Sequence, residues 1–156
     1  MIMLDDGRIA RALYRQDLPC FGERVFRTLE PGKNYHHNWH IDHIAWQLMR
    51  VARGEIKRLI INVPPRSMKS IMVSVAFTAW TLGRNPAKRI IAVSYAEELA
   101  RKLAIDTWTV LQSGWYRALF PAMQPRSTIQ RHHEFVTSQH GYRFASGIGG
   151  AVLGAD

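Results

Sequence analysis

The chain has 156 residues, enough for one domain with its own core and too few for two large ones. Its composition, 47% apolar with no biased tract, is that of a globular protein, and a formal charge of +9 makes an anionic partner such as nucleic acid the first to consider. One cysteine, Cys20, excludes an internal disulfide and a cysteine-rich zinc site and fits a reducing compartment.

Met1-Ile2-Met3-Leu4 runs into Asp5-Asp6 with no apolar core segment, so no secretory signal is read there. The longest uncharged stretch, Ser70 to Gly83, falls short of the roughly 20 residues of a membrane span. The expectation is a soluble cytoplasmic protein with no membrane contact.

In chain order, Ile9, Leu13, Phe21, Val25, Phe26 and Leu29 recur at helical spacing, predicting one or two amphipathic helices broken near Pro19. Asn38 is placed to cap a helix running to about Arg53, with Gly54 just past its end and Ile41, Ile44, Ala45, Leu48 and Ala52 on the buried stripe. Arg58 to Val63 is an unbroken apolar run ended by Pro64-Pro65, predicting a strand buried on both faces of a parallel sheet. Lys69 to Leu82 predicts an almost enclosed helix, stopped by Gly83 and Pro86.

Arg89 to Val93 predicts the next strand. Ser94 and Glu97 have capping-box spacing for a helix burying Leu99, Leu103, Thr107 and Val110 or Leu111. Glu134 to Ser138 and Tyr142 to Ser146 flank His140-Gly141 as a hairpin, and Gly147-Ile148-Gly149-Gly150 reads as a loop. Trp80, Trp108, Trp115 and Tyr116 are read as packing residues. Strand, loop, helix, strand, helix is the order of an α/β domain.

The segment richest in chemistry is Val63-Pro64-Pro65-Arg66-Ser67-Met68-Lys69-Ser70, between a predicted strand and helix. A helix N-terminus presents unpaired N–H groups and a partial positive charge, which suits phosphate. Lys69 would reach the β- and γ-phosphates and the Ser70 hydroxyl would ligate Mg²⁺. Against G-x-x-x-x-G-K-[ST], only the terminal Lys-Ser survives, with Val63 and Met68 at the glycine positions. Pro64 and Pro65 have no N–H, so a cradle must come from Arg66 through Ser70. Arg66 adds a guanidinium able to stabilise γ-phosphate charge in cis, against the alternative of a surface pair with a carboxylate.

Pro64-Pro65-Arg66-Ser67-Met68-Lys69-Ser70 resembles the phosphate loop of phage terminase large subunits, the motors that push DNA into capsids. Asn38-Trp39-His40, Gly54-Glu55-Ile56, Arg58 to Asn62, Ser94-Tyr95 with Glu98-Leu99-Ala100, and Tyr116 to Pro121 follow in the family's order, so the likeness runs from about Ala10 to Asp156. It implies a P-loop NTPase with a mostly parallel sheet flanked by helices, residues 1–54 as a helical lead-in and 55–156 as the core. It also implies ATP and Mg²⁺ as cofactors, held by Arg66, Ser67, Met68, Lys69 and Ser70, with Ser70 on the metal. His40 stands where related motors carry an adenine-contacting glutamine.

Implied partners are double-stranded DNA and, for the full-length family, a small subunit, the portal and procapsid, and a homo-oligomeric ring, in a bacterial host carrying phage or prophage. Met68 departs from the family, where Gly often precedes the lysine, and Gly149 to Asp156 is shorter than the family's glycine-rich approach to its next strand.

ATP hydrolysis by such a motor needs an apolar strand ending in an acid that holds Mg²⁺ and another that activates water. Asp106 falls in a predicted helix and Asp5-Asp6 precede the loop. The expectation is a chain truncated before this acidic strand and lacking the family's nuclease domain, able to bind nucleotide without turning it over. The alternatives are a non-catalytic nucleic-acid-binding or assembly module, and a helicase-like P-loop NTPase. His36, His37, His40, Asp42 and His43 cluster without a metal-site pattern, and Arg126, Arg131, His132 and His133 make a basic entrance to the hairpin.

Overall fold

The computed structural model describes residues 6–126 and 134–148. The chain is α/β and divides into two units, Met1–Trp80 and Thr81–Asp156.

The first unit is helical. Helices α1 (Asp6–Gln16) and α2 (Leu18–Leu29) part at Asp17, whose carboxylate accepts from the Cys20 amide at 2.8 Å as the N-cap of α2. Pro19 sits in the first turn of α2, where its missing N–H costs nothing. Leu18, Phe21 and Val25 are fully buried. Gly22 lets Met72 approach, since a Cβ there would collide with the Met72 thioether. Helix α3 (Trp39–Ala52) follows Asn38 and buries Ile41, Ile44, Ala45 and Leu48 as its spacing predicts, while Ala52 is exposed. Gly54 follows it at φ +79°.

Residues 58–63 correct the sequence reading. They form no strand: Leu59, Ile61 and Val63 are half-buried and Ile60 is 85% exposed. An apolar run becomes a strand only where a neighbour satisfies its N–H and C=O groups, and among the described residues no strand pairs with it.

The helix after the loop begins at Lys69, widens into a π-helical segment at Ile71–Ala76 and continues as α4 (Phe77–Arg84). Met72, Val75, Ala76, Ala79 and Trp80 are buried, as an enclosed helix requires. Gly83 does not stop it. The helix runs one residue past it to Arg84, and glycine suits position 83 because a Cβ there would strike the Phe120 ring.

The second unit holds β1 (Arg89–Ser94), α5 (Glu97–Gln112), α6 (Gly114–Leu119), β2 (Pro125–Arg126), β3 (Glu134–Thr137) and β4 (Tyr142–Gly147). The sheet order is β1-β4-β3-β2. Only β1 and β4 run parallel; β3 pairs antiparallel with both β4 and β2. The described sheet is therefore mixed rather than mostly parallel, because the hairpin that follows α6 brings its own antiparallel ladder.

Helix α5 covers one face, where Ala100 and Ala104 meet Ala145. Small side chains at the contact let helix and sheet approach closely. On the other face Ile91 and Val93 are 49% and 54% exposed, so β1 is covered on one side only. The expected capping box is replaced. Ser94 ends β1, Ala96 is the N-cap without a side-chain bond, and the Glu97 carboxylate accepts from the Gly147 amide at 2.6 Å. The predicted hairpin forms with Glu134 facing Phe144 in register. Trp80 and Tyr116 are buried, and the Trp108 ring packs on Phe135 at 5.7 Å.

Candidate functional site

The loop reaches the helix through a turn over residues 65–66 and a bend at 67–68, and Lys69 and Ser70 are the first helical residues. Arg66 and Met68 both adopt left-handed backbone, at φ 64° and 60°. For an L-residue that conformation costs about 1–2 kcal/mol. Met68 stands at the second glycine position of the phosphate-loop pattern, immediately before the lysine. The chain thus takes up a glycine-type geometry there with a methionine.

Left-handed residues next to right-handed ones turn successive amides toward one side, a concavity suited to anions. Among the described residues none of the amides from Arg66 to Ser70 donates to a protein acceptor. The Ser67 hydroxyl is shielded from solvent and also has no described partner. Lys69 is half-buried and Arg66 exposed, and neither makes an ion pair among the described residues, so the surface pairing considered for Arg66 is not seen there. Ser70 is exposed on the first helical turn. Donors, a lysine and a hydroxyl converge at one helix start, a set able to hold a phosphate with its accompanying cation.

His40 belongs to this site through the loop backbone. Its Nε2–H donates to the Ser67 carbonyl at 3.2 Å, which ties the first turn of α3 to the loop and fixes the ring tautomer. The candidate residues Arg66, Ser67, Met68, Lys69, Ser70 and His40 are all brought together.

No described strand ends in an acid: β1 ends at Ser94, β3 at Thr137 and β4 at Gly147. Asp106 lies inside α5, its carboxylate 2.7 Å from Lys102 Nζ. Asp5 lies outside the described residues.

In the histidine cluster, His37 Nε2 lies 2.9 Å from an Asp42 carboxylate oxygen and His43 contacts Gln47 at 3.4 Å. Among the described residues no three His, Cys, Asp or Glu side chains are grouped to hold a metal ion. Arg131, His132 and His133 lie outside the described residues, as does the Arg126 side chain. Cys20 is held as a thiol, its pKa pushed up to about 11 by burial and then by the hydrogen bond and charge of Asp17.

Two features were missed by sequence reasoning. The outer face of α3 exposes Trp39 (75%) and Trp46 (52%), with His43 beside Trp46 and the Arg50 guanidinium 4.9 Å over its ring. The i, i+4, i+7, i+11 spacing of Trp39, His43, Trp46 and Arg50 was the available signal. The second is Arg143, buried completely in β4, for which strand alternation gave no warning beyond its shared face with Ala145. Among the described residues no helix is long and apolar enough to cross a membrane.

No protein-family model matches the chain, and no curated protein sequence or solved structure matches it either.

Proposed function

We propose that residues 66–70 bind the triphosphate of Mg·ATP, and that the chain is the ATP-binding portion of a DNA-packaging motor of the terminase type with a P-loop NTPase fold. The observation that carries the reading is Met68, held left-handed at the pattern's glycine position directly before Lys69, with unbonded amides on either side. A backbone that keeps strain while leaving its donors unused is arranged for a ligand.

In this reading Lys69 bridges the β- and γ-phosphates, Ser70 ligates Mg²⁺, Arg66 offsets γ-phosphate charge and His40 holds the loop in shape. Mg²⁺ would supply charge neutralisation across the phosphate oxygens. No described strand ends in an acid that could orient an attacking water, so the reading is of nucleotide binding with little turnover. Double-stranded DNA is the proposed partner, consistent with the charge of +9.

Calorimetry of Mg·ATP with wild type and Lys69→Ala tests the site. Binding that disappears in the variant supports it, while no binding to a demonstrably folded wild type overturns it. Turnover of about 1 s⁻¹, the low end for enzymes, would overturn the binding-only clause.

A second reading, a non-catalytic nucleic-acid-binding or assembly module, draws on the exposed Trp39 and Trp46 face with Arg50. Aromatic faces beside a guanidinium suit stacking on bases. It predicts DNA quenching of tryptophan fluorescence that Trp39→Ala and Trp46→Ala remove, independent of Lys69.

A further inference from the structure

Helix α1 carries Arg8, Arg11 and Arg15 and, from Gly7 to Gln16, no lysine and no acid. At 3.6 residues per turn the three positions fall within an arc of about 60°, and all three side chains are exposed. Another side of the helix packs on α2. Ala10 and Tyr14 are half-buried, and with Leu13 they line a cleft against Cys20 and Arg24. The arginines stand on the side turned away from that cleft.

This arrangement works against the helix. Arg8 with Arg11 and Arg11 with Arg15 are like charges at i, i+3 and i, i+4, which repel. Arg8 also stands in the first turn, where the helix dipole opposes a cation. A face that serves solubility alone does better with both signs interspersed. A polyanion laid along the arginines removes the repulsion and offsets the dipole.

The residue type narrows the polyanion. A guanidinium fork holds a phosphate through two donors at once, whereas lysine offers a point charge, and all three positions are arginine. Arg8 to Arg15 spans about 10 Å of helix axis, a length over which duplex DNA presents several phosphates. Helix α2 adds Arg24, exposed beside the cleft, while Arg27 is paired with Glu23 at 2.7 Å. An anionic bilayer suits the surface less well, because the apolar stripe of α1 lies against α2 and leaves no continuous apolar face to enter lipid.

We propose that the Arg8, Arg11 and Arg15 face of α1 tracks the phosphate backbone of duplex DNA, holding it without reading its sequence. The proposal rests on the DNA partner proposed above and not on nucleotide binding at residues 66–70.

Duplex binding by the full chain, followed by fluorescence anisotropy across a salt series, tests the interface. Wild type is compared with the triple variant Arg8→Gln, Arg11→Gln, Arg15→Gln. A second triple variant, Arg84→Gln, Arg101→Gln, Arg117→Gln, removes the same charge from exposed positions elsewhere. Each phosphate contact contributes about 0.9 to the slope of log K against log salt. The α1 variant is therefore expected to lose about 2 to 3 from the slope, alike for unrelated DNA sequences, and the second variant to keep it.

An unchanged slope in the α1 variant, or an equal loss in both variants, overturns the interface and leaves the DNA partner standing. No duplex binding by wild type at low salt overturns both, while Mg·ATP calorimetry still decides the nucleotide site. Arginine-dependent binding to phosphatidylserine vesicles in place of duplex also overturns the interface. Glutamine ranks close to arginine as a helix former, so α1 is expected to stay helical in the variant. Should the variant fold poorly, the unaltered chain answers by NMR. Duplex is expected to shift the Nε–H resonances of Arg8, Arg11 and Arg15 before those of Arg101 and Arg117, and the reverse order overturns the proposal.

Discussion

Two turns in this chain hold non-glycine residues in left-handed backbone, and they treat the strain differently. In the hairpin turn His140 sits at φ 62°, and the backbone amides from Ser138 to Gly141 are all bonded. The Thr137 hydroxyl donates to the Pro86 carbonyl and accepts from the Gln139 and Gly141 amides, while Thr137 N donates to Gly141 O at 2.8 Å. In the loop, Arg66 and Met68 carry the same strain with the amides around them unbonded among the described residues. Strain offset by internal bonds belongs to the fold. Strain beside idle donors is what a ligand can offset, and this contrast separates a structural turn from a site.

The sharpest way to break the contrast is at the hairpin. Gly141→Ala would push a methyl into the backbone of Pro86 and Lys88, and Thr137→Val removes a hydroxyl serving three partners, two of them buried. Each is expected to destabilise the fold by about 3 kcal/mol, measured by urea unfolding, since buried groups would clash or lose their bonds. Lys69→Ala should do the reverse, leaving the unfolding midpoint in place and weakening Mg·ATP by about 10- to 100-fold, the value of a charge-assisted bond. A Lys69→Ala chain that unfolds early would erase the distinction.

Met68→Gly and His140→Gly sharpen it further. Relief of left-handed strain, about 1–2 kcal/mol, outweighs glycine's added unfolded-state freedom of about 0.5–1 kcal/mol. Both should stabilise by about 0.5–1 kcal/mol, and only Met68→Gly should alter nucleotide affinity in calorimetry.

The smallest effect lies away from both turns. With its pKa near 11 instead of 9.0, the Cys20 thiol should alkylate about 100-fold more slowly than a free thiol at pH 8. The folded state favours the protonated thiol, so its contribution to stability is complete below pH 9 and is lost as pH rises through about 11. Alkylation kinetics in folded and urea-unfolded chain check this.

Much of the α-helical framework was legible from local patterning, with Gly54 after α3 and one apolar stripe within it, although Asn38 holds the N-cap position without a side-chain capping bond. The hairpin was legible from its turn residues. What failed was pairing. Residues 58–63 have a strand's composition, but a strand exists only beside another, and composition carries no information about the neighbour. The capping box failed likewise, because Glu97 found a nonlocal amide at Gly147 in place of Ser94. The loop's location was readable from Lys69-Ser70 and its prolines, whereas the left-handed Met68 was not, since methionine avoids that conformation and only the folded backbone reveals it.

The π-helical segment at Ile71–Ala76 separates the phasing of the loop from that of α4. A π turn accommodates one residue more in each hydrogen-bonded ring than an α turn does. Removing a single residue between Ile71 and Ala76 would let the segment rewind as α-helix, whereas the same deletion within α4 would rotate a buried face out of register. Among possible length changes in this helix, the one the architecture absorbs best lies immediately behind the loop. Variation in chain length can therefore accumulate there while Lys69 and Ser70 keep their place at the helix start.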